Sequence, residues 1–442
     1  MPLIYNNTVR PYHLKLLLSI LFSAFIASLY IVVFPLKPFL PYVNYLLGID
    51  EPTTYLILLQ NDKEIRANGG FAGSYAKITM NFPKYEVTFQ DIYVPNGQLK
   101  GHVTPPQPIQ DSFKHGTWEL ANADYEPDFT EAATSIRWFF DKGGEKDPDI
   151  LGTINLSTIH DILRIVGPFK VTDYDAEITA DNFYYFLQGK AETNFFPGST
   201  QKKDALTSVG KALKNKLHQL TPLQLTKIAQ IVYRDLKRSN ILVNSRNPDF
   251  QQAMVSNKYA GQITPGPYDS FMLTELNLGA NKANCCIERL TTHTISTDDN
   301  NTFLHRVHTT ISNLSTEYSP NPPFNYSGHY IAYIRLYLPN NAVNVNIIPF
   351  SALPPISGDF GLPDNVTTKE KFGLKEIGFF LITAAGSQST IDLSYELKES
   401  PTNHYRLDIL KQHGLISSPQ NVIYNGRSHQ TDLLTDYVFQ IP

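Results

Sequence analysis

The chain has 442 residues, with 37 basic and 41 acidic side chains and a formal net charge of −4. Proteins whose principal partner is nucleic acid normally carry a basic surface, so this charge balance argues against such a partner. A chain of this length is expected to fold around roughly two or three hydrophobic cores.

An uncharged run from Leu16 to Phe34 predicts a membrane anchor near the N-terminus. At ~1.5 Å per residue such a helix is about as long as the ~30 Å hydrocarbon core of a bilayer. It exceeds the ~7–15 apolar residues of a cleaved signal peptide, so an uncleaved anchor is favoured over a cleaved signal. Basic residues before the run predict a cytoplasmic segment over 1–14, a transmembrane helix over 15–36 and an extracytoplasmic remainder.

A proline-punctuated linker is predicted over residues 37–52, and a mixed α/β domain over 53–290. Tyr55–Leu59 is a short apolar run, which is typical of a central strand. Tyr75–Met80 and Tyr85–Phe89 are β-rich runs separated by a turn sequence, which predicts a hairpin.

The polar, glycine-containing stretch between the first two strands is predicted to be a loop that binds a ligand. Backbone N–H groups of a glycine-rich loop can face an anion, and Arg66 would clamp a phosphate because a guanidinium binds phosphate in a bidentate manner. The alternative is a plain turn in which Arg66 pairs with Glu64 or Asp62. The candidate ligand-binding residues of this loop are Asn61, Asp62, Gly69, Gly70 and Ser74.

Asp91 ends the third predicted strand. Open α/β sheets often bind ligands beyond strand ends, where this carboxylate could hold Mg²⁺ or accept a proton. An aspartate that only forms a turn is the more common alternative.

The chain that follows alternates between helix and strand. Residues 95–118 are predicted to form a long polar loop, after which Asp128 or Thr130 can cap a helix that ends near Phe140.

Further along, Ile150–Ile154 and Phe169–Val171 are predicted strands on either side of a helix that Ser157 caps and Gly167 ends. Strand, helix and strand in this order predict a β-α-β unit, with a right-handed crossover if its strands are parallel.

A lysine-rich helix is predicted over residues 198–220, and another begins after Thr221. Lys202 and Lys203 lie in the first turns of the lysine-rich helix, where a helix N-terminus already attracts anions. The alternative for these lysines is a solvated basic face.

From about Cys286 the pattern becomes all-β, which predicts an antiparallel β-sandwich over residues 291–442. Cys285 and Cys286 are expected to be unpaired, one in the core and one partly exposed, because a bond between neighbours distorts the intervening peptide. The chain has no standard catalytic motif and no histidine pair with metal-ligand spacing.

Several segments resemble an uncharacterised family of membrane-anchored bacterial proteins, which is catalogued as a domain of unknown function. They are YLILLQNDKEIRANGGFAGSYAKITM, LANADYEPDF, DPDILGTINLSTIHDILRIVGPFKV, ITADNF, TELNLGANKANCCIERL and YRLDILKQHG. In order, they span most of residues 52–414.

More distantly, residues 55–220 resemble the LytR-CpsA-Psr domain. The resemblance implies an α/β sandwich around a mixed sheet, and a protein that binds a polyprenyl pyrophosphate carrier and, with Mg²⁺, transfers its glycopolymer to the cell wall. Of that family's Arg-Ser/Thr-Asp and Pro-Arg-Asp triplets, the sequence retains only Ser74 and Asp91, and lysines 202 and 203 stand where the family has an arginine pair.

The sequence therefore predicts a single-pass protein of the bacterial cytoplasmic membrane, with its N-terminus inside. Its expected partner is a polyprenyl-linked lipid or a wall glycopolymer, and Arg66 and Asp91 would be the catalytic residues of any phosphotransfer. The alternative is a non-enzymatic surface, adhesion or scaffold protein with a degenerate α/β domain.

Overall fold

The computed structural model describes residues 37–114, 116–193, 200–316, 326–354, 360–398 and 405–440. The predicted transmembrane helix over 15–36 lies outside these residues. Within them, no helix is both long and apolar enough to cross a membrane.

The strands of the described chain are β1 Thr53–Arg66, β2 Gly69–Asn81, β3 Lys84–Asp91, β4 Ile150–Asn155, β5 Phe169–Val171, β6 Ala176–Ile178, β7 Ile241–Ser245, β8 Asp269–Asn277, β9 Ile287–Thr297, β10 Phe303–Asn313, β11 Tyr330–Pro339, β12 Ala342–Phe350, β13 Thr367–Lys371, β14 Leu374–Thr383, β15 Gln388–Leu397, β16 Arg406–Leu410, β17 Pro419–Tyr424, β18 Arg427–Asp432 and β19 Tyr437–Gln440. Its α-helices are α1 Val43–Leu47, α2 Tyr93–Asn96, α3 Gln107–Phe113, α4 Phe129–Lys142, α5 Leu156–Val166, α6 Ala180–Glu192, α7 Gln201–Leu217, α8 Pro222–Lys237 and α9 Pro248–Ser256.

A mixed five-stranded sheet in the order β3-β2-β1-β4-β7 forms the centre of the α/β region. β1 is antiparallel to β2 and parallel to β4, and the predicted β2–β3 hairpin turns between Asn81 and Lys84. Because side chains alternate along a strand, Leu56 and Leu58 of β1 pack towards α4 while Tyr55 packs towards α8 and α9. Helices cover both faces, so the expected α/β sandwich around a mixed sheet is present.

The first hairpin differs from the prediction, because residues 61–74 are not a loop. β1 continues to Arg66 and β2 begins at Gly69, with register shifts between Leu59 and Gln60 and between Asn61 and Ile65. These polar residues form a strand because they pair with β2 and are covered by distant parts of the chain. For example, the Gln412 side chain donates to the carbonyl of Arg66 at 3.0 Å.

Three further predictions about the α/β region are wrong. Asn155, not Ser157, is the N-cap residue of α5, and Ser157 lies inside the helix. β5 pairs with β6 in a separate two-stranded sheet, so β4, α5 and β5 do not form a β-α-β unit. Residues 95–118 also contain the helix α3 instead of a continuous loop.

Sequence signals for helix starts and ends predicted where other helices begin or end. Asp128 caps α4 by accepting hydrogen bonds from the amides of Thr130 and Glu131. Thr221 and Gln224 form a capping box at the start of α8, and Gly167 ends α5.

Two six-stranded sheets make up the C-terminal region, in the orders β12-β15-β10-β9-β17-β18 and β13-β14-β11-β8-β16-β19. Inward-facing residues of both sheets share one core, which includes Phe271, Ile334, Leu336, Ile391 and Leu393. β8 belongs to the second sheet, so these sheets begin at Asp269, before the predicted boundary between residues 290 and 291.

The adjacent cysteines also differ from expectation. Cys285 and Cys286 are joined as a disulfide at the end of the 3-10 turn Ala283–Cys286. Both residues are partly buried. The turn sits against β1, where the Asn284 side chain accepts a hydrogen bond from the amide of Ile65 at 3.0 Å.

Candidate functional site

A cavity of about 690 Å³ lies at the carboxyl ends of β1 and β3. Its floor comes from β1 and β2, its walls from α5, α6 and α7, and part of its rim from the segment that follows β8. One wall is apolar and consists of Leu156, Ile159, Phe183, Leu187 and Leu206. Its size is within the usual ~300–1,000 Å³ of ligand-binding cavities.

The cavity lining also carries charged side chains of both signs. Three ion pairs line the cavity: Arg66–Glu64 at 3.0 Å, Lys202–Asp91 at 3.2 Å and Lys282–Glu192 at 3.4 Å. Glu119 and Asn122 are further polar residues of the lining. We call the five apolar side chains the apolar half of this lining and the three ion pairs its charged half.

Arg66 lines the cavity but is almost fully engaged by the protein. Its side chain is 2 % exposed. Its guanidinium donates to the side chain of Asn122 at 3.3 Å, to the carbonyl of Asn277 at 2.7 Å and to Glu64 at 3.0 Å. The same group lies 5.1 Å from the centre of the Phe71 ring. Arg66 thus ties β1 to β8 and has the Glu64 partner that the alternative interpretation predicted.

Lys202 is held at the cavity rim by two contacts. Its Nζ atom lies 3.2 Å from Oδ2 of Asp91 and donates to the carbonyl of Gly73 at 2.5 Å. Burial lowers the pKa of Lys202; Asp91 opposes this effect and the charge of Lys282 adds to it. The neighbouring Lys203 is not part of the cavity lining.

Asp91 uses both of its carboxylate oxygens. Oδ2 pairs with Lys202, and Oδ1 accepts a hydrogen bond from the amide of Tyr93 at 2.9 Å. The second contact is that of an aspartate in a turn, as the structural alternative for this residue predicted.

Two other predicted residues, Asn61 and Ser74, line the cavity. The Ser74 side chain is buried, and its hydroxyl oxygen has no hydrogen-bond partner in the described part of the chain.

The remaining predicted residues of the first hairpin serve its packing. Asp62 accepts hydrogen bonds from the amide and the hydroxyl of Ser157, at the start of α5. A Cβ atom on Gly70 would lie 2.2 Å from the backbone of Asn61, and one on Gly69 would lie 2.1 Å from the Gln60 side chain. These glycines permit close approach of the chain and do not form an anion-binding loop.

Lys282 and Glu192 belong to the charged half but were not predicted as site residues. Lys282 lies in the segment TELNLGANKANCCIERL, and the connection between β8 and β9 brings it to the cavity. No local pattern around either residue indicates a site, because their proximity is a consequence of tertiary structure.

Asp124 is a further buried carboxylate near this site that sequence reasoning missed. It is 2 % exposed, and neither of its side-chain oxygens has a hydrogen-bond partner in the described chain. Burial raises the pKa of Asp124 to about 7, and the nearby charge of Arg66 offsets part of that effect.

The donor set at the cavity does not fit Mg²⁺. Asp91 is already paired with the ammonium of Lys202, and Glu64 is paired with Arg66, so a positive charge stands beside both of these carboxylates. In the described ranges, no three His, Cys, Asp or Glu side chains converge as metal ligands.

Residues 50–191 match a known family model. Its description is "Protein of unknown function (DUF4012)". This match confirms the resemblance to an uncharacterised family for that segment of the chain. No curated protein matches the sequence.

Solved structures with similarity to this chain include the following three proteins. B. subtilis TagV is 12% identical, with 49% of this chain and 85% of TagV covered and a TM-score of 0.30. A LytR-Csp2A-Psr enzyme from Actinomyces oris is 13% identical, with coverages of 47% and 78% and a TM-score of 0.26. The Lin1025 protein from Listeria innocua is 11% identical, with coverages of 50% and 85% and a TM-score of 0.28. Similarity at this level carries no argument about activity.

Proposed function

We propose that this protein is a single-pass, membrane-anchored protein of the bacterial envelope that binds an amphiphilic ligand in the cavity. The ligand would have an apolar chain and a phosphate-bearing head, as a polyprenyl-phosphate-linked glycopolymer has. The observation that carries the proposal is that one cavity is lined by both apolar helix side chains and charged groups.

The apolar wall supports the lipid part of the proposal. Its five side chains come from α5, α6 and α7 and surround space at the end of the sheet. A hydrocarbon chain in this space would remove apolar surface from water, at roughly 25 cal/mol per Å². A purely polar ligand would leave that wall without a partner.

The charged rim supports a head group that contains phosphate. Lys202 and Lys282 lie close enough for the charge of one to lower the pKa of the other, so an anion between them would relieve their mutual repulsion. The carboxylates of Asp91 and Glu192 accept hydrogen bonds, which sugar hydroxyls donate. Charges of both signs therefore suit a phosphate that is attached to a sugar.

Binding is better supported than transfer. Arg66 and Asp91, the predicted catalytic residues, are both engaged by other protein groups. Their catalytic roles remain predictions.

One observation favours the second candidate, a non-enzymatic scaffold. The contacts of Arg66 with Asn277, Asn122 and Glu64 are those of a residue that holds the β-sheets together. A scaffold would make no specific use of the cavity.

Titration of the full-length chain with a polyprenyl phosphate separates these candidates. We expect Lys202→Ala to weaken binding about tenfold or more, since charge-assisted hydrogen bonds contribute ~1.5–3 kcal/mol. Lys203→Ala is the matched control, because the adjacent lysine lies outside the cavity lining, and it should bind like the wild type. No binding by the folded wild type, or equal losses in both variants, would contradict the proposal.

A further inference from the structure

Exposed apolar side chains gather at the end of the central sheet that lies away from the cavity. Phe82, at the β2–β3 turn, is 58 % exposed, and Tyr85 and Val87 of β3 are 39 % and 37 % exposed. Ile49, in the segment that leads into β1, is 46 % exposed. Large apolar groups that share one surface indicate an interaction site more often than scattered ones do.

Backbone contacts hold the hairpin and the linker together as one surface. The amide of Phe82 donates to the carbonyl of Leu47 at 3.0 Å. Gly48 adopts a left-handed conformation at the end of α1, and a Cβ atom there would lie 2.1 Å from the carbonyl oxygen of Met80. The linker is therefore packed closely against the hairpin, and Ile49 lies near Phe82.

A lysine extends this surface in a way that suits a boundary between apolar and aqueous phases. The Nζ atom of Lys214 lies 4.4 Å from the centre of the Tyr85 ring. Aromatic rings with lysines beside them are typical of protein segments at the membrane–water interface, because each has an apolar body and a polar end.

The position of this surface in the chain indicates that a lipid bilayer would contact it. The described chain begins at Lys37, and Leu40 and Val43, in the linker just before Leu47, are also exposed. The predicted transmembrane helix over 15–36 ends immediately before this linker. The bilayer to which the chain is anchored would thus lie next to the hairpin.

We infer that the β2–β3 hairpin tip and the linker form a second membrane contact, in which Ile49, Phe82, Tyr85 and Val87 enter the interfacial layer of the bilayer. The inference rests on the membrane anchor of the proposed function, but not on its ligand.

The charges on this surface are mixed. Asp50, Glu51 and Glu86 are acidic, whereas Lys84 and Lys214 are basic. The contact is therefore made by apolar and aromatic groups and does not require anionic lipids.

This arrangement also sets the distance between the cavity and the surface of the bilayer. Tyr85 and Asp91 lie at opposite ends of β3, which at ~3.3 Å per residue places them about 20 Å apart. With the hairpin tip at the bilayer, the cavity rim would stand about that far from the hairpin contact.

Site-directed spin labelling of the full-length chain in nanodiscs of zwitterionic lipid tests the inference. A nitroxide on Phe82→Cys is compared with one on Ile348→Cys, an apolar residue of the sandwich strand β12 that is also 58 % exposed. The native cysteines are joined to each other and do not compete for the label. A label on Val87→Cys repeats the test without replacing Phe82.

We expect labels at positions 82 and 87 to collide more often with dissolved oxygen than with a water-soluble nickel complex, and the label at position 348 to show the reverse. Water-like accessibility at all three positions would overturn the inference. Shielding of positions 82 and 87 from both reagents would overturn it too and would indicate a protein partner. A chain that fails to enter nanodiscs would refute the anchor and this inference together, whereas a loss of polyprenyl phosphate binding alone would refute only the proposed ligand.

Discussion

The ammonium group of Lys202 lies 3.2 Å from the carboxylate of Asp91 and so joins the first turn of α7 to the end of β3. A second bond from the same group, to the carbonyl of Gly73, fixes the lysine at the cavity rim. Lys202 therefore lines the cavity with its side chain 26 % exposed, in an ion pair in which the charges of Lys202 and Asp91 compensate each other. Because Lys202 lies in the cavity lining and the adjacent Lys203 does not, substitutions of these two lysines form a matched pair.

Arg66→Ala is expected to destabilise the fold before it affects ligand binding. The change leaves Glu64 partly buried without its cation and removes the bond to the Asn277 carbonyl, and breaking such pairs costs ~3–5 kcal/mol. Thermal unfolding of the full-length chain measures this loss. Arg66→Met combined with Glu64→Gln should recover part of the stability, because no unpaired charge remains. A stable Arg66→Ala protein with abolished binding would instead restore Arg66 as a phosphate clamp.

Gly70→Ala tests whether the glycines of the first hairpin serve packing. The new methyl group would lie 2.2 Å from the backbone of Asn61, which cannot rotate away, so we expect a loss of roughly 2–3 kcal/mol. Gly116→Ala is the control, because its methyl group would meet only the His102 ring at 3.5 Å and should change stability by about 0.5 kcal/mol or less. Equal stabilities of the two variants in chemical denaturation would contradict this role.

Asp124 predicts a specific pH dependence of stability. Its pKa is about 7 in the folded protein against 3.8 ordinarily, so between these values the folded state binds more protons than the unfolded state. The contribution of Asp124 to the free energy of unfolding should therefore fall as pH rises from about 4 to about 7, by on the order of 1.4 kcal/mol per pKa unit of difference at most.

The variant Asp124→Asn isolates this effect, because it has no carboxyl group to ionise at this position. Relative to the wild type, its free energy of unfolding should increase from pH 4.5 to pH 8. Other buried groups, such as His293 and His305, are the same in both proteins and cancel in the difference. Parallel pH profiles of the two proteins would show that Asp124 is not the group responsible.

The sequence predicted those features that local patterns specify. Asp128 was predicted as one of two possible helix caps, and a helix was predicted to begin after Thr221, because the signals of a helix start need only a few neighbouring residues. The extension of β1 to Arg66 was not predicted, because its polar residues are covered by Asn277 and Gln412 from far along the chain.

The same distinction applies to the candidate site. Lys202 and Asp91 carried their own signals, at a helix start and a strand end, whereas Lys282 and the apolar wall come together only in the folded chain. Glycine positions indicated a special backbone near residue 70, but they could not distinguish an anion-binding loop from a tightly packed hairpin.

The most direct test of the proposed function is mass spectrometry of the lipids that co-purify with the full-length chain from bacterial membranes. The wild type is compared with Ile159→Trp, which fills the apolar half of the cavity, and with Leu225→Trp, which adds the same ring at a half-exposed position of α8 outside the cavity lining. We predict a polyprenyl-phosphate-linked lipid in the wild type and in Leu225→Trp, and at least fivefold less in Ile159→Trp. No such lipid in the folded wild type, or equal amounts in all three proteins, would contradict the assignment of the cavity.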